Sequence, residues 1–471
     1  MQLYKTMCGK YIILFIATII SSLLTPVVYA TNYYITPNGN DLNTGVTTAT
    51  AWADVAKSIT KLHAGDSLHI GAGTYKITNN VTFWNISGTA ANPITVEGEG
   101  STTVLDGSNA SKNVVGFYNT AYINFQNMAI KNSKVGQLIA VTQANHITIS
   151  NVELSFGYVN GVWMDSTASN ILLHKLYVHD NAQGNINGVN TANGNWGQGI
   201  NLAGHNNTAQ HCVVENNWGE GIDAQEADGA LILNNVVHDN FSVSIYLDHT
   251  KNTTVDGNLA YYSYTDKTHY RSNAPGAGIS IADEGYDPGN INTGNRIINN
   301  VVVHTLDGIG YRSYGDNAGM HNTTIWNNTI VDSTLTGLRI DLPAIATGND
   351  IENNIVYGSL PNSRLINIDA AKQQGLLIQN NFWYAPKSTN PSGGYGSGTY
   401  GQASVVLGQG DVVATDPLFV GGCGGSTIKV LCYTLKKGSA AINAAKFNAT
   451  NVPTDYNGIT RINPTSMGAF K

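Results

Sequence analysis

Residues 208–252 read TAQHCVVENNWGEGIDAQEADG (Thr208–Gly229) followed by ALILNNVVHDNFSVSIYLDHTKN (Ala230–Asn252). Both halves run from β-branched residues through Asn-Asn and an acid-bearing turn to a second apolar strand. Laid one under the other, Val214 falls on Val237, Glu215 on His238, Asn216 on Asp239, Ile222 on Ile245, Asp223 on Tyr246 and Gln225 on Asp248. A self-similar period of roughly 22 to 27 residues, with about two strands per unit and no helical periodicity, implies a stacked β-solenoid.

Working outward, the same signal, an apolar strand ending in Asn, recurs as FQNMAI, ISNVEL, LNNVVH, INNVVVH, WNNTIV, ENNIVY and QNNFWY. Parallel coils stack about 4.8 Å apart, so equivalent Asn side chains can hydrogen-bond from coil to coil. Asn127, Asn151, Asn235, Asn300, Asn328, Asn354 and Asn381 are therefore expected to be structural. The Asn-x-Thr matches at Asn252 and Asn322 read as turn or ladder positions for the same reason. Two insertions break the period, at Asn181–Gly197 and Ser263–Gly278, with EGYDPGNINTG soon after. Long loops leaving a regular solenoid usually build the walls of a groove.

Composition narrows the class of protein. Only 12% of the chain is charged and its formal charge is −7, with no basic stripe, which argues against a nucleic-acid partner. Residues 1–30 carry Lys5 and Lys10, the apolar run YIILFIATII, and small residues at Val28-Tyr29-Ala30, the pattern of a secretory signal peptide. Its removal takes two lysines, so −7 becomes −9. No membrane anchor is expected afterwards, and the mature protein should be secreted or periplasmic and a monomer. Cys212 lies inside a strand pattern, while Cys423 and Cys432 flank a short loop that a disulfide would close in an oxidising compartment.

The ends of the chain carry a resemblance. A strand-and-turn segment (Tyr34–Asn43), a short amphipathic helix expected over Trp52–Leu62, Gly65-Asp66, AGTY at Ala72–Tyr75 and NPITV at Asn92–Val96 follow in order. Near the other end come DPLF (Asp416–Phe419), YTLKKGSAAINA, DYNGITR and MGAF. Together these resemble secreted right-handed parallel β-helix proteins of the pectate-lyase-like superfamily, which includes polysaccharide lyases, hydrolases and epimerases. The resemblance implies an all-β, right-handed parallel β-helix. Residues 31–110 would form an N-terminal cap and first coils, 111–385 the repeats, and 386–471 a linker and covering segment. The partner it implies is a polysaccharide, and an acidic one.

Aligning the strand after each Asn turn gives GVWMD, GINLA, GIDAQ, SIYLD, GISIA, GIGYR, GLRID and LINID. Side chains alternate, so if the Val, Ile and Leu face inward, one outward column is Trp163, Asn201, Asp223, Tyr246, Ser280, Gly310, Arg339 and Asn367. A second is Asp165, Ala203, Gln225, Asp248, Ala282, Arg312, Asp341 and Asp369. Sugar rings stack on Trp and Tyr and take hydrogen bonds from Asn and Asp, so Trp163, Asn201 and Tyr246 are candidate substrate contacts. The bland alternative is a solvated solenoid face, polar because outward positions must be.

The first reading of the chemistry is a lyase on a uronate-containing polymer. Asp223, Glu226, Asp248 and Asp283 would hold a calcium ion, and Arg312, Arg339, Lys251 or His249 would serve as base, as the resemblance implies. An alternative is hydrolysis by Asp223 and Asp248, one coil and two residues apart, or roughly 8 Å, within the range of about 6.5 to 9.5 Å for inverting glycosidases. The signatures of polygalacturonases (paired Asp with a downstream Gly-His-Gly) and of mannuronan epimerases (Asp-Pro-His-Asp) are missing; YDPGN matches the latter only in Asp-Pro. A third reading is a non-catalytic solenoid that binds a glycan or a protein. On a neighbouring strand Lys131, His179, Glu215, His238 and His304 come near register, a weak metal-site pattern.

Overall fold

The computed structural model describes residues 30–189, 197–286, 291–314, 318–341, 346–361, 363–368, 375–388, 395–397, 408–421, 428–448 and 450–471. The expected signal peptide up to Tyr29, Cys423 and Asp369 lie outside them. Among the described residues, consecutive coils form parallel ladders throughout: a 12-stranded sheet running from Val81–Trp84 to Tyr395–Ser397, and a 24-stranded assembly that makes up the remaining walls.

Each central coil holds three strands rather than two. In one coil these are Leu231–Leu233, Val236–His238 and Ile245–Asp248. The extra corner lies within the apolar run LILNNVVH. Asn234 takes the left-handed conformation (φ 54°), bending the chain between strands that read in sequence as one. Asn216, Asp239, His249 and Asn252 do the same at other corners, with φ between 51° and 55°.

The inner face of the 12-stranded sheet is a stack of Ile222, Ile245, Ile279, Ile309, Leu338 and Ile366, all essentially solvent-free. Beside it runs an amide ladder. The Asn235 Nδ2 donates to Asn258 Oδ1 at 3.0 Å, and the pattern continues through Asn300, Asn328, Asn354 and Asn381 at 2.9–3.0 Å. A second ladder links Asn181, Asn217 and Asn240. Such ladders satisfy buried corner amides that the sheets leave unpaired. Asn127 and Asn151 instead pair with each other at an exposed left-handed corner. Cys212 is a free, buried thiol at the head of the first ladder, where its N–H donates to Asn235 Oδ1.

The cap helix is shorter than expected, Val55–Ile59, and starts where the Asp54 carboxylate accepts from Lys57 N. Trp52 is excluded because its backbone pairs with Ile35 and its ring stacks on Tyr33 at 4.8 Å. Val55, Ile59 and Leu62 still join the end of the core. The C-terminal segment packs along the outside of the solenoid: Ile428, Tyr433, Ala469 and Phe470 cover Leu259, Val301, Val303 and Val331. Buried Arg461 fastens it, donating to Asn299 Oδ1 and to the Gly468 and Ala469 carbonyls. Cys432 is disulfide-bonded. Among the described residues no helix is long and apolar enough to cross a membrane.

Candidate active site

The outward face of the 12-stranded sheet carries the first expected column in unbroken register. Asn201 pairs with Asp223, Asp223 with Tyr246, Tyr246 with Ser280, Ser280 with Gly310, Gly310 with Arg339, and Arg339 with Asn367. Trp163 heads it, since Val162 pairs with Ile200. In the second column Gln225 pairs with Asp248, Asp248 with Ala282 and Ala282 with Arg312.

A third column, one residue before the Gly-Ile start, was missed in the sequence. It includes Asn160, Gln198, Glu220 and Asp307, with Gln198 in register with Glu220. The glycine after each was the available signal. At Gly221 a Cβ would sit 2.4 Å from Val237 Cγ1, so only glycine lets the strand begin this close to the core, and the residue before it turns outward.

Asp223 is the centre of the arrangement. It is 3% exposed and its Oδ2 accepts a 3.3 Å hydrogen bond from Gln198 Nε2, while Oδ1 has no protein partner. Burial, then the charges of Asp248, Glu220 and Glu284, push its pKa well above the usual carboxylate value. Burial likewise lifts Glu220 to about 7. Asp248 is raised less, to about 6: burial raises it, but the Tyr286 hydroxyl donates to Oδ2 at 2.5 Å and His249 lies beside it, with Nδ1 2.8 Å from Oδ1. Tyr246 donates to Glu284, and Tyr286 also accepts from Gln225 Nε2 at 3.3 Å. Glu284 and Tyr286 come from the segment after the Ile279–Asp283 strand, which folds back over the face.

Other expected site residues are placed differently. Glu226 and Asp283 each stand one residue past an outward position. Glu226 turns into a left-handed corner (φ 50°), and Asp283 is buried, its Oδ2 accepting from Gly319 N at 3.2 Å. Alternation thus takes both off the face, and the cage Asp223, Glu226, Asp248 and Asp283 is not assembled. Among the described residues no three His, Cys, Asp or Glu side chains are arranged around one metal ion. His249 also follows an outward position; its ring is buried behind Asp248, edge-on to Tyr286 at 5.1 Å.

The two arginines among the candidate bases are paired. Arg312 and Arg339 both reach Asp307, and Arg339 is also held by Asp341 at 2.8 Å. Burial acts to lower the Arg312 pKa, but Asp307 more than offsets it, so the guanidinium stays charged. Lys251 lies beyond the corner, its backbone bridging Asp228 and Thr293.

The expected substrate contacts Asn201 and Tyr246 are largely buried. Asn201 joins Met164 N to Gln225 Oε1, and both residues stiffen the face. A cleft of about 300 Å³ opens alongside, lined by Phe241, Ser242, Arg271, Ser280, Arg312 and Tyr314. A larger one, about 380 Å³, lies at the N-terminal cap, remote from these carboxylates.

The histidine column on the neighbouring sheet is a set of ion pairs. His179 sits between Glu153 and Asp180, and His238 between Glu215 and Asp239. Burial opposes protonation of His238, but the two acids carry it to about 9. Lys131 pairs with Glu153, and His304 stacks on Tyr264.

Parallel three-walled coils, amide ladders and a polar groove on one sheet define a right-handed parallel β-helix. The profile of the Pel9A-like right-handed β-helix region matches residues 33–328, and the chain belongs to that family. The fold is shared with pectate lyase Pel9A (17% identity, TM-score 0.54, covering 96% of this chain and 99% of that one). It is shared also with XylC, solved in complex with xylose (10%, 0.51, 93% and 98%), and with PfbA, a surface adhesin of Streptococcus pneumoniae (13%, 0.51, 74% and 86%). No curated protein matches the sequence. At these identities the likeness extends to the fold, and fold alone does not fix activity.

Proposed function

We propose that the protein cleaves a polysaccharide by hydrolysis, with Asp223 as the acid and Asp248 as the base. The observation that carries this reading is the split between two carboxylates on one groove floor. Asp223 is held protonated by burial and surrounding acids, whereas a tyrosine hydroxyl keeps Asp248 ionised above about pH 6. Pairs whose environments push their pKa values apart supply acid and base at one pH. In the step itself the Asp223 carboxyl passes its proton to the glycosidic oxygen as the bond to the anomeric carbon breaks. A water whose proton goes to Asp248 adds its oxygen to that carbon. The backbone offset of one strand and two residues, roughly 8 Å between Cα atoms, is of the order of the carboxyl spacing used by inverting enzymes, and inversion is part of the proposal.

Calcium-assisted elimination is the second reading, favoured by Glu220 Oε2 and Asp223 Oδ1, buried carboxylate oxygens with no protein hydrogen-bond partner. It ranks second because the arginines that would serve as base are paired. The first reading accommodates a neutral or an acidic polymer; the second requires an acidic one. Work outside the cytoplasm is part of the proposal, and the Cys432 disulfide supports it.

The test is a panel of xylan, galactan, polygalacturonate and alginate, with calcium or with a chelator, scored for new reducing ends and for ultraviolet-absorbing unsaturated ends. Reducing ends alone, insensitive to chelation and lost in Asp223→Asn and Asp248→Asn, are expected. Calcium-dependent unsaturated ends would move the assignment to elimination, and retention of full activity in both variants would remove the site.

A further inference from the structure

The sheet that carries Asp223 continues toward the N-terminus, and its outward face there is aromatic. Thr82, Gly116, Ala140 and Trp163 form one line in register, ending beside Asn201. In the parallel line Trp84 pairs with Tyr118, which pairs with Thr142. Trp84 is 63% exposed, an unusual position for the largest apolar side chain. Its ring lies 5.9 Å from that of Tyr118.

Tyr118 is not simply projecting into water. A Cβ on Gly116 would fall 2.2 Å from Tyr118 Cε2, so the phenol ring lies down over the bare backbone of Gly116. Asn113 Nδ2 donates to its hydroxyl at 2.9 Å and holds it there. A ring laid along the sheet and fixed at both ends presents a preformed face, and the C–H faces of sugars stack on such surfaces.

We propose that Trp84 and Tyr118 form a remote binding platform for a polysaccharide chain whose cleaved bond lies at Asp223, so that the protein selects long chains over short oligosaccharides. The strands of Trp84 and Asp223 are separated by five spacings, about 24 Å, and Trp163 stands between them. A short oligosaccharide at the carboxylates does not reach the platform; a polymer lying along the sheet does. The inference rests on the reading of this face as a saccharide groove, and deepens it by naming chain length as the property selected.

The test pairs binding with cleavage in Trp84→Ala, Tyr118→Ala and the double variant, each checked for an unchanged melting curve. Native electrophoresis through gels containing xylan, galactan, polygalacturonate or alginate reads binding without turnover. The wild type should be retarded by one polymer, and each ring removed should weaken that retardation about three- to ten-fold. With that polymer, KM should rise in the variants while kcat and the rate on its trimer stay unchanged. Asp223→Asn should keep wild-type retardation, so loss of chemistry and loss of the platform are read separately. Retardation without cleavage would refute the hydrolytic reading and leave the platform standing. No retardation of the wild type by any polymer, or unchanged binding in the double variant, would overturn the platform.

Discussion

Replacing Tyr286 by Phe removes one hydroxyl and tests how the site sets its protonation. That hydroxyl donates to Asp248 Oδ2 at 2.5 Å, stabilising the ionised carboxylate and lowering a pKa that burial raises. A hydrogen bond to a charged group contributes about 1.5–3 kcal/mol. Tyr286 is half exposed, so solvent screening argues for the low end. At about 1.36 kcal/mol per unit, the Asp248 pKa should rise by about one unit, from about 6 to about 7. The base must be ionised to act, so the acid limb of kcat/KM should move up by the same interval, with near-normal activity above about pH 8. A carboxyl-carbon NMR titration of Asp248 in both proteins gives the same number without substrate. An unmoved or lowered Asp248 pKa, or an activity loss equal at every pH, would refute the reasoning.

Three further outcomes follow from the same geometry. Asp223→Asn should lower kcat by about 10²–10⁴, the usual weight of a general acid, with substrate binding retained. Glu220 holds its proton more tightly folded than unfolded; its contribution to stability is complete below about pH 4.5 and is lost as pH rises through about 7, amounting to roughly 3 kcal/mol. Thermal melts of Glu220→Gln should therefore gain on the wild type across that interval, and a constant difference would contradict the assignment. In Asn300→Ala the ladder loses bonds to Asn258 N and Nδ2, Asn328 Oδ1 and Val255 O at 2.9–3.0 Å. Denaturant unfolding should show a loss of about 3–5 kcal/mol, whereas exposed Asn151→Gly, which keeps the left-handed corner free of strain, should cost under about 1 kcal/mol.

The solenoid was legible because its coils repeat a local rule, an apolar strand closed by Asn, and because Gly-Ile marks the start of each strand on the groove sheet. That mark fixed the register from Trp163 to Asn367. The third strand per coil was hidden because a left-handed Asn234 bends an apolar run without interrupting it. Glu226, Asp283 and His249 looked like site residues by proximity to Asp223 and Asp248, but each lies one step past an outward position. Glu220 and Asp307 were legible in principle from the glycine that follows them. Tyr286 and Glu284 were not, because they reach the face through an irregular segment whose path no periodicity sets. The pairing of both arginines with Asp307 is the ground on which we propose hydrolysis ahead of elimination.

The measurement that bears most directly on the central claim is cleavage in oxygen-18 water, with the products weighed by mass spectrometry and their anomeric form followed by NMR. The account predicts one solvent oxygen at the anomeric carbon for every bond broken, initially in the inverted configuration, and none released by Asp248→Asn. Products that carry no solvent oxygen and end in an unsaturated sugar would contradict it.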